Sequence, residues 1–370
     1  MISAGESSGE LYGALLSREI KNKWSDAEIT GIGGLRMKNE GVNVIAPITS
    51  AIGLTETIRQ WKEIINSFKK AKEFLIRQKP DILVLIDYPD FNIALGKKAK
   101  KEGIPILYYV SPQVWAWRAG RAKKIASLVN NIAVLFPFEV DIYRNTGLAC
   151  EFVGHPIAEL IDIHQTKEEL KEKLGIAPHK KVIALLPGSR PSEIIRHQNL
   201  IKEVAEKIHN EFPDMQIVIP LVSGTHIEGD IPDYIKVIYD CTTEVIACSE
   251  SAAVASGTVT LETALLGIPM VVFYKLSPLT FFLGKLLIRV KFISLVNILA
   301  AEEVVTELIQ GNATAKNIFS ELKRILTIDE YRYNMISKLQ KVKELMGRKT
   351  ASAHVASMVG KLAGWNNTSD

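Results

Sequence analysis

The sequence predicts an α/β protein made of two Rossmann-like, doubly wound parallel-sheet domains facing a cleft. Three observations carry this. Short apolar runs alternate with helical patterns from end to end. The runs show no in/out alternation, which marks strands covered on both faces and therefore parallel sheets. A chain of 370 residues can bury a full core in each of two domains.

The expected strands are residues 82–86, 104–110, 132–135, 182–186, 216–220, 252–255 and 270–274. Helical stretches such as 167–174 and 199–211 complete the βαβ units. The Gly154-His155-Pro156 turn closes the first half, and His155 reads as structural there. A charged helix, then Gly175 and Pro178, lead into a new strand from Lys180. The expected domains are residues 1–165, 166–340 and a C-terminal helix, 341–370, that returns to the first domain. The tail from Asp329 reads as two helices broken at Gly347. Only Met1 to Ala4 precede the strand-to-helix turn at Gly5 to Gly9. That is short of the usual ~5–6 residues of a strand, so the first strand is expected to be truncated or its start assigned late.

Composition narrows the function. Lys and Arg number 45 against 41 Asp and Glu, a net charge of +4. This excludes the dense positive field of a nucleic-acid binder. With 47% hydrophobic and 23% charged residues, disordered and fibrous classes are excluded too. No run reaches the ~18 uncharged apolar residues that span a bilayer, and there is no signal-peptide pattern. Cys150, Cys241 and Cys248 form no CxxC and are odd in number, as expected of thiols in a reducing compartment.

Mean hydropathy is nevertheless slightly positive, +0.11. Two segments account for it. Residues 56–79 carry a helical apolar face (Ile58, Trp61, Ile65, Phe68, Leu75) and seven Lys or Arg against three Glu. Residues 263–301 contain no acid but hold Lys275, Lys285, Arg289 and Lys291 beside Phe281, Phe282 and Leu286. Such faces either pack on their own core or lie on an anionic bilayer.

Five loops can carry chemistry. Gly5-Glu6-Ser7-Ser8 enters a helix whose N–H groups suit an anion or sugar hydroxyls, or serves as a plain cap. Asp87 follows a buried run, where ligand groups sit in open α/β sheets, and suits general-base work. Asp90 in the same loop fits a helix cap better. Trp115, Trp117 and Arg118 form either a sugar or acyl contact or the closure of a core edge. Gly188-Ser189-Arg190 at a strand end suits a diphosphate through backbone N–H groups and a guanidinium. Ser256-Gly257-Thr258 offers a second phosphate turn, with Glu262 one helical turn on to accept ribose hydroxyls. The chain has no DxD, HExxH or paired-His spacing, so no metal site and no cofactor are expected.

Together these motifs resemble the lipid-A-disaccharide synthases, bacterial glycosyltransferases of GT-B type. The matches are Ala4-Gly5-Glu6-Ser7-Ser8-Gly9, Ile86-Asp87-Tyr88-Pro89-Asp90-Phe91-Asn92, Val110-Ser111-Pro112-Gln113-Val114-Trp115-Ala116-Trp117-Arg118, Leu186-Pro187-Gly188-Ser189-Arg190, Ala255-Ser256-Gly257-Thr258 with Glu262, and Ser294-Leu295-Val296-Asn297-Ile298-Leu299-Ala300. The resemblance implies inverting, metal-independent transfer from UDP-2,3-diacylglucosamine to 2,3-diacylglucosamine 1-phosphate (lipid X), with UDP released. It implies an essential acid at Asp87, an essential arginine at Arg190, and a nucleoside held by Glu262 and Asn297. It also implies peripheral contact with the cytoplasmic face of the inner membrane. Glu10, Glu159 and Ala301 depart from the family, which usually has Asp, Asp and Gly there. The alternatives are another GT-B enzyme, such as a UDP-GlcNAc 2-epimerase, or a binding protein without catalysis.

Overall fold

A computed structural model describes residues 1–48, 57–112, 120–276, 291–347 and 350–365, with backbone alone at Ser7, 57–61, 120 and 121. The chain forms two units, Met1–Glu159 with Met346–Asp370, and Leu160–Leu345.

In the first unit the strands are β1 (Ile2–Ala4), β2 (Thr30–Gly33), β3 (Asn43–Pro47), β4 (Leu83–Ile86), β5 (Ile106–Tyr109), β6 (Asn131–Val134) and β7 (Ala149–Phe152). They form one 7-stranded sheet in the order β3-β2-β1-β4-β5-β6-β7, with every pairing parallel. Its helices include α1 (Ser7–Lys23), α2 (Leu35–Asn39), α3 (Thr57–Gln78), α4 (Pro89–Lys101), α5 (Gly120–Ala126), α6 (Pro137–Arg144) and α7 (Ile157–Leu160).

In the second unit β8 (Val182–Leu186), β9 (Gln216–Leu221), β10 (Ile235–Tyr239), β11 (Ser251–Ala255), β12 (Met270–Tyr274) and β13 (Glu307–Ile309) form a 6-stranded sheet. The order is β10-β9-β8-β11-β12-β13, again parallel throughout. Its helices include α8 (Lys167–Lys173), α9 (Pro191–Glu211), α10 (Thr242–Ala247), α11 (Val259–Leu265), α12 (Leu295–Ala300), α13 (Ala315–Thr327) and α14 (Asp329–Leu345). The sequence therefore predicted the fold class correctly.

Five strands lay outside the sequence reading: β2, β3, β7, β10 and β13. Four of them are sheet edges, where residues are only half covered and no continuous apolar run is needed. The fifth, β2, is Thr-Gly-Ile-Gly and carries little apolar signal. The strands that were read are buried along their whole length, as in β4, β5 and β8.

The last helix, α15 (Ala351–Ala363), packs on α1 of the first unit. Gly360 permits this, because a Cβ there would lie 2.3 Å from the Trp24 ring. Around the returning chain His155 N donates to Met346 O (3.1 Å), and Ser352 N donates to Glu159 Oε1 (2.7 Å). His155 is structural: its Nδ1 accepts from Ile157 N, and burial pushes its pKa down to about 3.

In both sheets strand order reverses beside the first strand, between β1 and β4 and between β8 and β11. Ligands of open α/β sheets bind beyond the carboxyl ends of strands at such reversals. The loops after β1 and β4, and those after β8 and β11, are the motif loops of the sequence.

Candidate active site

In the first unit the chain leaves β4 through an unusual turn. Asp87 (φ 48°) and Tyr88 (φ 46°) both take the left-handed conformation, and Pro89 then starts α4. Two such non-glycine residues cost of order 1–3 kcal/mol each, so the surroundings must hold them. Asn92, fully buried on α4, does so. Its Nδ2 donates to the carbonyls of Asp87 (2.7 Å) and Ile86 (3.1 Å), and its Oδ1 accepts from Ser3 Oγ on β1 (2.7 Å). Tyr108 of β5 donates a second bond to the Asp87 carbonyl (2.7 Å). Tyr88 stacks on Phe91 (5.2 Å) and covers Gly5, where a Cβ would fall 2.1 Å from the ring. Gly5 is thus required for close approach.

The turn fixes the Asp87 carboxyl at the reversal point. Burial raises its pKa, the Glu6 carboxylate adds to this, and together they push it up to about 6. A carboxylate of that basicity is ionised at neutral pH yet accepts a proton more readily than an ordinary aspartate. Glu6 is the N-cap residue of α1, and Ser8 lies in its first turn. Asp90 is exposed in the first turn of α4 and fits the favourable end of the helix dipole. Glu10 is buried and accepts from Arg36 N (2.9 Å), so it caps α2.

In the second unit β8 ends at Pro187-Gly188-Ser189-Arg190. Gly188 has φ 121°, and a Cβ there would lie 2.6 Å from Glu193 Oε2. Glu193, in the first turn of α9, accepts from Ser189 N (3.2 Å), Arg190 N (3.4 Å) and Tyr274 Oη (3.2 Å). The Ser189 and Arg190 N–H groups are both bonded to Glu193, and Arg190 lies at the exposed loop tip. His197 braces the same loop. It is fully buried, its Nδ1 donates to Pro187 O (2.6 Å), and its Nε2 accepts from Lys275 N (3.2 Å). Burial lowers its pKa, and these bonds select the neutral tautomer.

At the second turn Ser256 N donates to Phe273 O (3.0 Å), continuing the sheet. Gly257 is exposed, and Thr258 is the N-cap of α11. Glu262 is partly buried and accepts from Thr243 Oγ1 on α10; burial raises its pKa.

The Asn297 side chain lies in the first turn of α12. It is fully buried, its Nδ2 donates to Val305 O and Glu307 Oε1 (both 2.8 Å), and its Oδ1 accepts from Val304 N (2.8 Å) and Val305 N (3.0 Å). These bonds lock α12 to the chain entering β13. Ala301 ends α12 at φ 55°, the conformation for which Gly is usual.

The apolar surface divides. On α3 the residues Phe68 and Leu75 face the core, Phe68 edge-on to Phe91 at 5.5 Å, while Ile65 is 62% exposed. Trp115, Trp117, Arg118, Phe281, Phe282 and Leu286 lie outside the described residues, as do the side chains of Ser7, Ile58 and Trp61. Sequence reasoning missed Asn92 and Thr243 as site residues, and took Glu193 only as a neighbour of Arg190.

Two parallel α/β units with loops at their reversal points define the GT-B class of sugar-nucleotide enzymes. Solved structures share this fold. A UDP-GlcNAc 2-epimerase from Neisseria meningitidis bound to UDP-GlcNAc superposes with TM-score 0.64 at 14% identity, covering 97% of this chain and 99% of that one. MurG of Acinetobacter baumannii gives 0.58 at 15% identity over 98% of each chain. Sequence is more specific. Residues 1–359 match the lipid-A-disaccharide synthetase family model. The lipid-A-disaccharide synthase of Geobacter sulfurreducens is 40% identical over 373 aligned residues, 98% of this chain and 97% of that protein. The chain belongs to the lipid-A-disaccharide synthase family of glycosyltransferases.

Proposed function

We propose that this chain joins UDP-2,3-diacylglucosamine to lipid X, giving the β-1,6-linked disaccharide 1-phosphate and UDP. Asp87 takes the proton of the acceptor hydroxyl. The hydroxyl oxygen attacks the anomeric carbon, the bond from that carbon to the diphosphate oxygen breaks, and UDP leaves with the electron pair. The direct displacement inverts the anomeric centre. Arg190 meets the developing diphosphate charge, and Glu262 accepts from the ribose. The Gly5 to Ser8 turn and Asp90 border the acceptor, and Trp115, Trp117 and Arg118 contact its sugar or acyl groups.

The observation that carries this reading is the Asp87 turn: a carboxyl with pKa of about 6 on a residue whose backbone carbonyl is held by Asn92 and Tyr108 at the reversal point. The retained arginine at the β8 loop supports transfer over mere binding. We further infer peripheral contact with the cytoplasmic face of the inner membrane, through Ile58, Trp61, Ile65, Phe281, Phe282 and Leu286, with Phe68 packed on the core instead. No helix among the described residues is long and apolar enough to cross a membrane. Exposed Ile65, with lysines around it on α3, supports the surface contact.

The test is direct. Purified protein receives both acylated sugars in detergent, and the products are separated by chromatography and weighed. Disaccharide and UDP in equal amounts are expected. UDP-sugar epimerised without acceptor would instead establish the epimerase alternative.

A further inference from the structure

On the first unit, α4 presents one face to a cavity of 360 Å³ that runs from Asp90 along the helix to Lys101. Asp90, Ile93, Ala94, Lys97, Lys98 and Lys101 line it from α4, joined by Phe68 of α3 and Lys124 of α5. The α4 residues fall at helical spacing on a single stripe. Phe68, Ile93 and Ala94 supply apolar lining, while Lys97, Lys101 and Lys124 are exposed. None of the four lysines makes an ion pair with a described carboxylate. Lysines at a helix C-terminus complement the dipole, but that role does not account for Lys124, on another helix, or for the apolar lining.

We propose that this groove binds the headgroup phosphate of an anionic bilayer phospholipid. The ammonium groups meet the phosphate, and the lining takes the first carbons of the lipid. Position along α4 separates this ligand from the acceptor's own phosphate. At 1.5 Å per residue, Lys97 lies about 10 Å and Lys101 about 16 Å beyond Asp90. A phosphate on the sugar whose hydroxyl reaches Asp87 would sit only a ring's width from that carboxyl. A lipid held along α4 would also bring the helix start, and hence the Asp87 turn, to the bilayer surface. The inference rests on the membrane contact proposed above and names the lipid chemistry that secures it.

Vesicle flotation without substrates tests it. Phosphatidylcholine vesicles with about 30 mol% phosphatidylglycerol are compared with pure phosphatidylcholine. The parent is expected to bind the anionic vesicles selectively. A variant carrying Lys97→Gln, Lys98→Gln, Lys101→Gln and Lys124→Gln should lose more than about tenfold in vesicle affinity, since each surface lysine contributes of the order of a fivefold factor. A control with Lys207→Gln, Lys316→Gln, Lys341→Gln and Lys343→Gln removes the same charge from the second unit and should change less than about twofold. The four Lys→Arg changes in the groove should keep binding, and matched urea midpoints exclude unfolding. Equal losses in groove and control variants would overturn the proposal, as would undiminished binding by the groove variant. Disaccharide formation in detergent is measured in parallel. Unchanged turnover with lost flotation supports a bilayer lipid, whereas a raised acceptor KM with normal flotation assigns the lysines to the acceptor and refutes it. Absence of product from the parent would count against the synthase reading alone, because flotation needs no substrate.

Discussion

The loops after β4 and β8 occupy equivalent reversal points in the two sheets, yet they are held in opposite ways. After β4 two non-glycine residues are left-handed, and a buried amide, Asn92, donates to the carbonyls around them. After β8 the strained position is a glycine, and acceptors, Glu193 and the Pro187 carbonyl bonded to His197, hold the loop. The first arrangement shields an acid whose pKa must rise. The second surrounds an exposed arginine, whose charge needs no adjustment.

The comparison breaks most sharply at Asp87 itself. Asp87→Asn should lower kcat by about 10²–10⁴-fold, the usual range for a general base. Its effect on stability has the opposite sign. The folded pKa is raised, from 3.8 to about 6, so the fold prefers the protonated form. The favourable contribution is therefore present at low pH and lost as pH rises through about 6. Removing the charge should stabilise the protein at pH 8 by about 1–2 kcal/mol, after allowance for partial exposure. Urea unfolding at pH 5 and pH 8 checks this, with a smaller gain expected at pH 5. In the parent, kcat/KM should fall about tenfold per pH unit below about 6; a flat acid limb would remove Asp87 as the base.

Asn92→Ala comes next. It leaves the Ser3 hydroxyl and the bent carbonyls short of partners inside the core, which costs about 2–4 kcal/mol. As the turn relaxes, kcat should fall at least about tenfold while donor KM changes little. An unchanged kcat in a folded variant would show that the carboxyl is aimed without Asn92.

These residues also mark how far the sequence could be read. Asp87 was legible because it follows a run buried on both faces, and Gly188 because a Gly turn at a strand end has few other uses. Asn92 stood in the same motif, but its task depends on carbonyls turned by positive φ angles, which no spacing reveals. Thr243 lies 19 residues from Glu262 in sequence, so their bond follows only from the packing of α10 on α11. At Asn297 a motif match identifies the residue without saying which bonds its amide makes inside the fold. The edge strands escaped for a related reason: half-covered strands need no apolar run.

Glu193 tests the second loop. Glu193→Ala removes acceptors from Ser189 N, Arg190 N and Tyr274 Oη, untying the loop from β12. The expected result is a donor KM raised about three- to tenfold with kcat nearly kept, and about 1 kcal/mol lost at the helix start. Glu193→Gln keeps an acceptor and should recover most of the KM. If the Ala variant bound UDP more tightly, the carboxylate would be a competitor of phosphate rather than a brace.

The smallest effect separates strain that is used from strain that is not. Ala301 is left-handed like Asp87 and Tyr88, but it is exposed at the end of α12. The Asn297 lock beside it consists of bonds from other residues, and none depends on an Ala301 side chain. Ala301→Gly removes the clash of a Cβ in this conformation and gives back part of that gain through a freer unfolded chain. A net stabilisation of about 0.5–1 kcal/mol is expected, read as a higher urea midpoint at constant m, with turnover unchanged. Tyr88→Gly relieves the same backbone conformation in the first unit, yet it removes the ring that covers Gly5 and stacks on Phe91. It should therefore lose both stability and turnover. A gain in both variants would mean that the turn after β4 is held no more tightly than a helix end.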